Sequence, residues 1–318
     1  MTIVRVGSGL TATRLHVEQV GPPPDRAEPL LWITGFAISS EIFAPVVGAY
    51  ADRFSCIRYD NRGSGRSQAP WRLTSIPELA GDAVRLLDAL GVESAHVYGL
   101  SMGGMVAQEV AIRFPDRVRG LVLGCTTHGG PRAVLPSPRI AAALTARGAP
   151  AELRAQLIGR ALFSEEFRRR EPALARRYLG LLNAHRTSAR GAVSHLAAST
   201  YHDTRARLSR INAPTLVLHG DHDVLTPPAN ARLLADAIPD ATLGMVHGAG
   251  HAYLLEQPQE SHRLFLDWLR ARSPVPAGRP LTGLAARSEP LTRHLGLQVG
   301  MLRTARSLTA PARTRAPR

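Results

Sequence analysis

The stretch Gly99-Leu-Ser-Met-Gly-Gly104 decides the fold of this chain. It follows an apolar run, residues 94–98, whose length and composition predict a strand. It opens the segment 102–114, where apolar residues recur at helical spacing. The sequence therefore predicts a strand that turns directly into a helix, with Ser101 at the bend.

Small residues flank this serine in the way that a sharp turn requires. Gly99 and Gly103 let the backbone bend tightly and leave the Ser101 hydroxyl exposed above a sheet, an arrangement called a nucleophile elbow. Ser101 also lies at a helix N-terminus, where free N–H groups and the helix dipole favour a developing anion. We predict that Ser101 is a nucleophile. The alternative is a glycine-rich connection whose serine only caps the helix.

Strand and helix patterns alternate along most of the chain. Apolar runs predict strands at 30–34, 54–59, 95–98, 118–123 and 214–219. Helical spacing lies at 77–90, 102–114, 229–238 and 259–270, and Ser75 with Glu78 forms a capping-box pattern. This alternation predicts an α/β fold with a mostly parallel sheet covered by helices on both faces.

Two segments depart from the alternation. Residues 128–205 show helical spacing without strands, and we expect a helical lid inserted between two parts of the core, 1–127 and 206–272. Residues 273–318 are rich in proline and arginine and predict a basic, largely disordered tail.

The positive charge is concentrated in those two segments. The net charge is +14, and lysine is absent, so all 39 basic residues are arginine. Segment 128–205 has 13 arginines against 5 acids and the tail has 8 against 1, whereas 1–127 is balanced at 12 each. The excess either attracts an anionic substrate or forms a solvated surface. The tail lacks aromatic residues, so we expect no nucleic-acid partner and no stable membrane insertion.

The composition of the chain indicates its cellular location and whether it needs a metal or cofactor. The longest apolar runs have strand length, far short of a bilayer span, and the N-terminus lacks the pattern of a signal peptide. Cys56 and Cys125 fall in predicted core strands, which favours free thiols and a cytoplasmic location. Neither a zinc-site spacing nor a phosphate-binding glycine loop is present, so we expect no metal and no cofactor.

A serine nucleophile needs a base, and the base needs an orienting acid. After an elbow of this type the acid precedes the histidine in the chain. Two stretches supply them in that order, His219-Gly-Asp-His-Asp223 and His247-Gly-Ala-Gly-His251.

With these motifs, residues 10–272 resemble the α/β-hydrolase superfamily, and within it the lid-bearing bacterial esterases, lactonases such as 3-oxoadipate enol-lactonase, and cofactor-free perhydrolases. The resemblance implies that Ser101 is the nucleophile and that His251 is the base. It assigns the acid to Asp223, three positions after Gly220. Asp221 remains an alternative acid, and three other histidines are expected to be structural: His219, His222 and His247.

The same resemblance implies an oxyanion hole made of two backbone N–H groups. One is the N–H of Met102, directly after the nucleophile, and the other is the N–H of Phe36 in Thr34-Gly-Phe36. Thr34 replaces the histidine that relatives have at this position, so a common supporting side chain is missing.

A further motif, Asp60-Asn-Arg-Gly-Ser-Gly-Arg-Ser67, resembles a loop of the same family. Its glycines predict a tight turn, and we expect Asp60 and Arg62 to pair and brace the active-site loops. Together with Gly99 and Gly103 they are interpreted as structural support.

The combined expectation is a serine hydrolase that cleaves a carboxylic ester, thioester or lactone of a small or medium apolar acyl substrate. Alternatives within the fold are a cofactor-free perhydrolase of haloperoxidase type and a C–C bond hydrolase. An alternative of another class is a ligand-binding protein of this fold without catalysis. The sequence leaves the acyl group and the oligomeric state open.

Overall fold

The computed structural model of the chain describes residues 2–145, 150–185 and 187–272. The predicted tail, 273–318, lies outside the described residues.

The centre of the described part is one sheet of eight strands. Their order across the sheet is β1-β2-β4-β3-β5-β6-β7-β8. β2 pairs antiparallel with β1 and with β4, and the other neighbours are parallel, as predicted. The strands are β1 Thr2–Val6, β2 Thr13–Val20, β3 Glu28–Ile33, β4 Phe54–Tyr59, β5 Ala95–Leu100, β6 Val118–Gly124, β7 Thr215–Gly220 and β8 Ala241–Val246.

Helices cover both faces of this sheet. Those outside the β6–β7 connection are α1 Ala44–Ala51, α2 Ile76–Ala89, α3 Met102–Arg113, α9 Ala229–Ala237, α10 Tyr253–Glu256 and α11 Pro258–Arg272. The predicted capping box starts α2: Ser75 N–H donates to the Glu78 carboxylate at 2.9 Å, and Glu78 N–H donates to Ser75 Oγ at 3.4 Å. The cap fixes where this helix begins.

Two apolar clusters hold the helices onto the sheet. On one face Leu31 and Val97 pack with side chains from α2, α3 and α9. On the other, Trp32 stacks on Tyr98 with ring centroids 4.4 Å apart, and Phe265 of α11 packs beside them. The central strands are thus buried on both sides, which is why they read as continuous apolar runs. Their carboxyl ends lie along one edge, where loops can meet.

Between β6 and β7, the described residues form five helices: α4 Pro138–Thr145, α5 Ala151–Leu162, α6 Glu165–Arg170, α7 Pro172–Ala184 and α8 Ala189–Thr200. We call them the α4–α8 segment. Phe163 and Tyr178 are buried with the Trp32 cluster, and Ala198 is buried with the other cluster. The segment therefore packs on the same core that carries the sheet.

Other structural expectations concern cysteines and membranes. Cys56 and Cys125 are both free and buried, as predicted. Across the described residues, no helix has the length and apolar character needed to cross a membrane.

Candidate active site

Ser101 lies at the sharp turn that the sequence predicts. It connects β5 to α3 with φ of 57°, in the left-handed region that non-glycine residues rarely adopt. A Cβ atom on Gly99 would overlap the carbonyl of Gly103, and one on Gly103 would overlap the carbonyl of Ile33. Only glycine fits these two positions, so they permit the tight packing of strand, turn and helix.

Asp223 and His251 form a buried pair at the same edge of the sheet. Asp223 follows β7, His251 follows β8, and His251 Nδ1 lies 2.8 Å from Asp223 Oδ2. The other carboxylate oxygen accepts N–H groups from Leu225 and Thr226, each at 2.8 Å. The carboxylate is therefore fixed, and it can hold the imidazole with the proton on Nδ1.

The electrostatics of Asp223 favour its charged form. Burial by itself raises the pKa of this carboxyl, but the charge of His251 and hydrogen bonds from His219 and His251 outweigh it. The net effect holds the pKa of Asp223 well below its usual range. Asp223 is thus an ionised partner for an imidazolium at neutral pH.

Asp221, the alternative acid, belongs to a different pair. Its Oδ1 accepts the backbone N–H of Gly248 at 2.7 Å, and its Oδ2 lies 3.0 Å from Nδ1 of the exposed His247. Both contacts lie at the start of the loop that leads to His251. The geometry therefore favours Asp223 as the acid and gives Asp221 a role in the loop.

His219 has a larger role than the sequence indicated. Its Nε2 lies 2.7 Å from the carbonyl oxygen of Thr226 and 3.2 Å from Asp223 Oδ2. Since the carbonyl can only accept, Nε2 carries the proton, and the ring lies beside Asp223 Oδ2, whereas the loop amides bind Oδ1. The position of this histidine at the end of β7 is the only signal the sequence offers.

Ser101 is hydrogen-bonded to Gly124 and Thr126, not to the Asp223–His251 pair. Its N–H donates to Gly124 at 2.8 Å, and its carbonyl accepts the Thr126 hydroxyl at 2.7 Å. Cys125, between those two residues, has its sulfur within 4.8 Å of ligand atoms of Asp223 and His219. Among the described residues, neither the Ser101 hydroxyl nor His251 Nε2 has a hydrogen-bond partner. The structure brings Asp223 and His251 together and places Ser101 at the same edge of the sheet. Among the described residues, the Ser101 hydroxyl makes no hydrogen bond to His251 Nε2.

The loop after β3 carries the second expected oxyanion donor. A Cβ on Gly35 would lie 3.2 Å from Ser101 Cβ, so this loop runs against the elbow, and Phe36 is the next residue. Asn61 Nδ2 donates to the carbonyl of Thr34 at 3.0 Å and to its hydroxyl at 3.1 Å. Asn61 thus supplies support where the family histidine is absent. The sequence signal for it was its place beside Asp60.

The expected pairing of Asp60 with Arg62 is wrong. Asp60 accepts the N–H of Ser40 at 2.6 Å and that of Arg66 at 2.8 Å. Arg62 instead makes a bidentate pair with Asp82 on α2, at 2.8 and 2.7 Å. Backbone N–H groups occupy one site on each oxygen of Asp60, while the planar guanidinium of Arg62 binds a matching carboxylate on the helix. Both residues still brace loops, through different partners.

The described residues include one set of close metal-ligand types: Cys125, His219 and Asp223, with ligand atoms within 4.8 Å of one another. Burial raises the pKa of the Cys125 thiol well above its usual range, so the sulfur stays protonated, whereas metals bind the thiolate. Asp223 Oδ2 is already shared by two imidazoles. We therefore assign this cluster to the hydrogen-bond network of Asp223.

Comparison with known proteins identifies the family of the chain. Residues 28–258 match the α/β hydrolase fold family. The chain belongs to that family. Its relatives are named as hydrolases, and this α/β hydrolase is an enzyme of that class.

Three similar proteins show which kinds of hydrolase the chain resembles. The protein named "Putative carbamate hydrolase RutD" of Azorhizobium caulinodans is 32% identical over 75% of this chain and 89% of its own length. The pimeloyl-[acyl-carrier protein] methyl ester esterase of Chromobacterium violaceum is 29% identical over 81% and 99%. The crystal structure of the enol-lactonase from Burkholderia xenovorans LB400 has a TM-score of 0.72 at 29% identity and covers 81% of this chain and 96% of that one. The predicted likeness to esterases and lactonases is confirmed.

Proposed function

We propose that this α/β hydrolase cleaves a carboxylic ester, thioester or lactone of a small or medium apolar acyl substrate through an acyl-enzyme on Ser101. The observation that carries the proposal is the buried contact of His251 Nδ1 with Asp223, 2.8 Å long, at the sheet edge where the elbow presents Ser101. Because Nδ1 bears the proton in that contact, Nε2 is left as the proton acceptor.

The residues then have defined roles. His251 Nε2 takes the Ser101 proton as the serine oxygen attacks the acyl carbonyl, and Asp223 stabilises the imidazolium that forms. The N–H groups of Met102 and Phe36 stabilise the oxyanion of the tetrahedral intermediate. His251 next protonates the leaving group as the carbon–oxygen or carbon–sulfur bond breaks. Water, deprotonated by His251, hydrolyses the acyl-enzyme and restores the serine.

The relatives and the α4–α8 segment support the proposed substrate class. A methyl ester esterase and an enol-lactonase act on acyl carbonyls, the chemistry that a serine triad performs. We assign the α4–α8 segment as the lid, since it follows β6. Its Phe163, Leu162 and Phe167 pack in the apolar cluster of Trp32, which also contains Tyr253, two positions after His251. Such side chains suit an apolar acyl group.

The test is hydrolysis of p-nitrophenyl acyl esters and labelling by a fluorophosphonate probe. The wild-type protein should turn over the esters and be labelled on Ser101, and Ser101→Ala should lose both. Ser94→Ala, a serine before β5 and outside the site, is the matched control and should retain both. Labelling or full turnover by Ser101→Ala would overturn the proposal, as would a wild-type protein that binds acyl esters without hydrolysing them.

A further inference from the structure

Ala37, directly after the expected oxyanion donor Phe36, is held by two side chains of the chain between β6 and β7. Its N–H donates to His195 Nδ1 on α8 at 3.2 Å. Its carbonyl accepts the hydroxyl of Thr187 at 2.8 Å. Both peptide groups of one loop residue are thus fixed by residues about 150 positions away.

The loop needs this restraint. Ala37 has φ of 55°, in the left-handed region, which is strained for an alanine because its Cβ approaches the following carbonyl oxygen. A conformation of that kind persists only where surrounding contacts determine it. The contacts with His195 and Thr187 are such a restraint, and they act on the residue that follows Phe36.

The partners of His195 define its protonation. Nδ1 faces a backbone N–H, which can only donate, and Nε2 faces the carbonyl of Arg62 at 2.8 Å, which can only accept. The ring is therefore neutral with its proton on Nε2. Burial lowers the pKa of His195, which agrees with this assignment. A neutral, fully buried ring bonded at both nitrogens is a rigid clamp.

The clamp lies between two parts of the site. On one side is the Arg62 loop, anchored to α2 by the pair with Asp82. On the other is the loop of Gly35, Phe36 and Ala37, which touches the elbow. The Phe36 ring lies edge-on to the His195 ring, with centroids 6.4 Å apart. The direction of the Ala37 N–H fixes the plane of the Phe36–Ala37 peptide, and with it the path of the backbone that carries the Phe36 N–H.

We propose that His195 is a positioning residue for the oxyanion hole: from the α4–α8 segment it holds Ala37, and through Ala37 it aims the Phe36 N–H at the developing oxyanion. Thr187 assists by holding the Ala37 carbonyl. This inference rests on the proposed acyl transfer through Ser101. It makes the docking of α8 a condition for catalysis.

Two substitutions at His195 each remove one of the two hydrogen bonds that the ring makes. His195→Asn keeps an amide oxygen close to the Nδ1 position, where it can accept the Ala37 N–H, and loses the bond to Arg62. His195→Gln keeps an amide N–H close to the Nε2 position and loses the acceptor for Ala37. We expect kcat of His195→Gln to fall about 10- to 100-fold with KM within about threefold, less than the loss of an oxyanion donor itself. His195→Asn should retain kcat within about fivefold.

Rates are expressed per serine titrated with the fluorophosphonate, so that misfolded protein is not counted. A merely structural role would lower the melting temperature and the titrated fraction while turnover per titrated serine stayed at the wild-type value in both variants. That result, or equal loss of kcat in both, would overturn the inference.

A second pair keeps the test informative if His195→Gln does not fold. Thr187→Val removes the hydroxyl that binds the Ala37 carbonyl, and Thr187→Ser keeps it. We expect kcat per titrated serine to fall several-fold in the valine variant only, and equal rates in both would contradict the inference. Wild-type protein that is not titrated on Ser101 would refute the proposed function instead, which separates the two failures.

Discussion

Glu256 accepts a hydrogen bond from the backbone N–H of Gly250, with 2.9 Å between the nitrogen and Oε1. Gly250 immediately precedes His251, so this carboxylate holds the loop that presents the imidazole. The other oxygen accepts the N–H of Ser164, between α5 and α6, at 3.0 Å. One buried side chain therefore joins the histidine loop to the α4–α8 segment.

Replacing this carboxylate by an amide tests that link. Glu256→Gln retains one accepting oxygen and turns an NH2 group toward the second backbone N–H, which is left unsatisfied in a buried place. We expect the free energy of unfolding to fall by about 1–3 kcal/mol, and kcat to fall because the His251 loop loosens. Urea unfolding and ester hydrolysis measure the two effects. Glu260→Gln, four residues further on at a partly exposed position, is the control, and equal behaviour of the two variants would contradict the role of Glu256.

The neighbouring aspartates Asp221 and Asp223 provide a matched test of the acid. Asp223→Asn keeps the shape of the side chain but removes the charge, and it no longer fixes the proton of His251 on Nδ1. We expect kcat to fall on the order of 10⁴-fold, as in other serine triads. Asp221→Asn should change kcat little, since its partners are His247 and the Gly248 N–H. A large loss in Asp221→Asn with a small one in Asp223→Asn would reverse the assignment.

The lowered pKa of Asp223 also has a consequence for stability against acid. A carboxyl whose pKa is lower in the folded than in the unfolded state contributes stability above its unfolded value of 3.8, and loses it as the pH falls toward the folded value. We expect the free energy of unfolding of wild type to exceed that of Asp223→Asn at pH 5 to 7 and the gap to narrow as the pH falls below 3.8. Urea unfolding across that range measures the gap. A gap that stays constant or widens toward low pH would show that His251 and His219 do not hold the carboxylate ionised.

The parts of the site that the sequence predicted are those defined by short stretches of chain. The turn at Ser101 follows from two glycines between a strand and a helix pattern, all within about ten residues. Asp223 and His251 were assigned through a family resemblance, because spacing alone left Asp221 open. Their contact joins side chains 28 positions apart, at the ends of adjacent strands.

The supporting contacts could not be predicted in the same way. His195, Asn61 and Glu256 act on backbone groups that lie next to them only after the sheet and the α4–α8 segment have packed. A sequence pattern specifies which face of an element is apolar, but it does not specify which polar group meets a given loop amide. The partner of Arg62 was predicted wrongly for that reason. Asp60, which is near in the chain, was the expected partner, whereas Arg62 binds Asp82 on α2.

The Arg62 pair leads to a prediction about stability. Its guanidinium binds Asp82 through two nitrogens and the Thr11 carbonyl at 2.9 Å, in a buried place. Arg62→Lys keeps the charge but offers a single ammonium group, which cannot reproduce the planar fork. We expect the free energy of unfolding to fall by about 1.5–3 kcal/mol, the range for lost hydrogen bonds to charged groups.

The control for this variant is Arg72→Lys, whose partner Glu78 lies at the surface. An exposed pair is screened by solvent, so the urea midpoint of that variant should match wild type. The backbone carbonyl of Arg62, which receives the His195 N–H, is kept in Arg62→Lys, so turnover per titrated serine should stay within about fivefold of wild type, as expected for His195→Asn. Unchanged stability in Arg62→Lys would mean that Asp82 is satisfied by Arg85, which also contacts it at 2.7 Å, and that the Arg62 loop is held by its backbone alone.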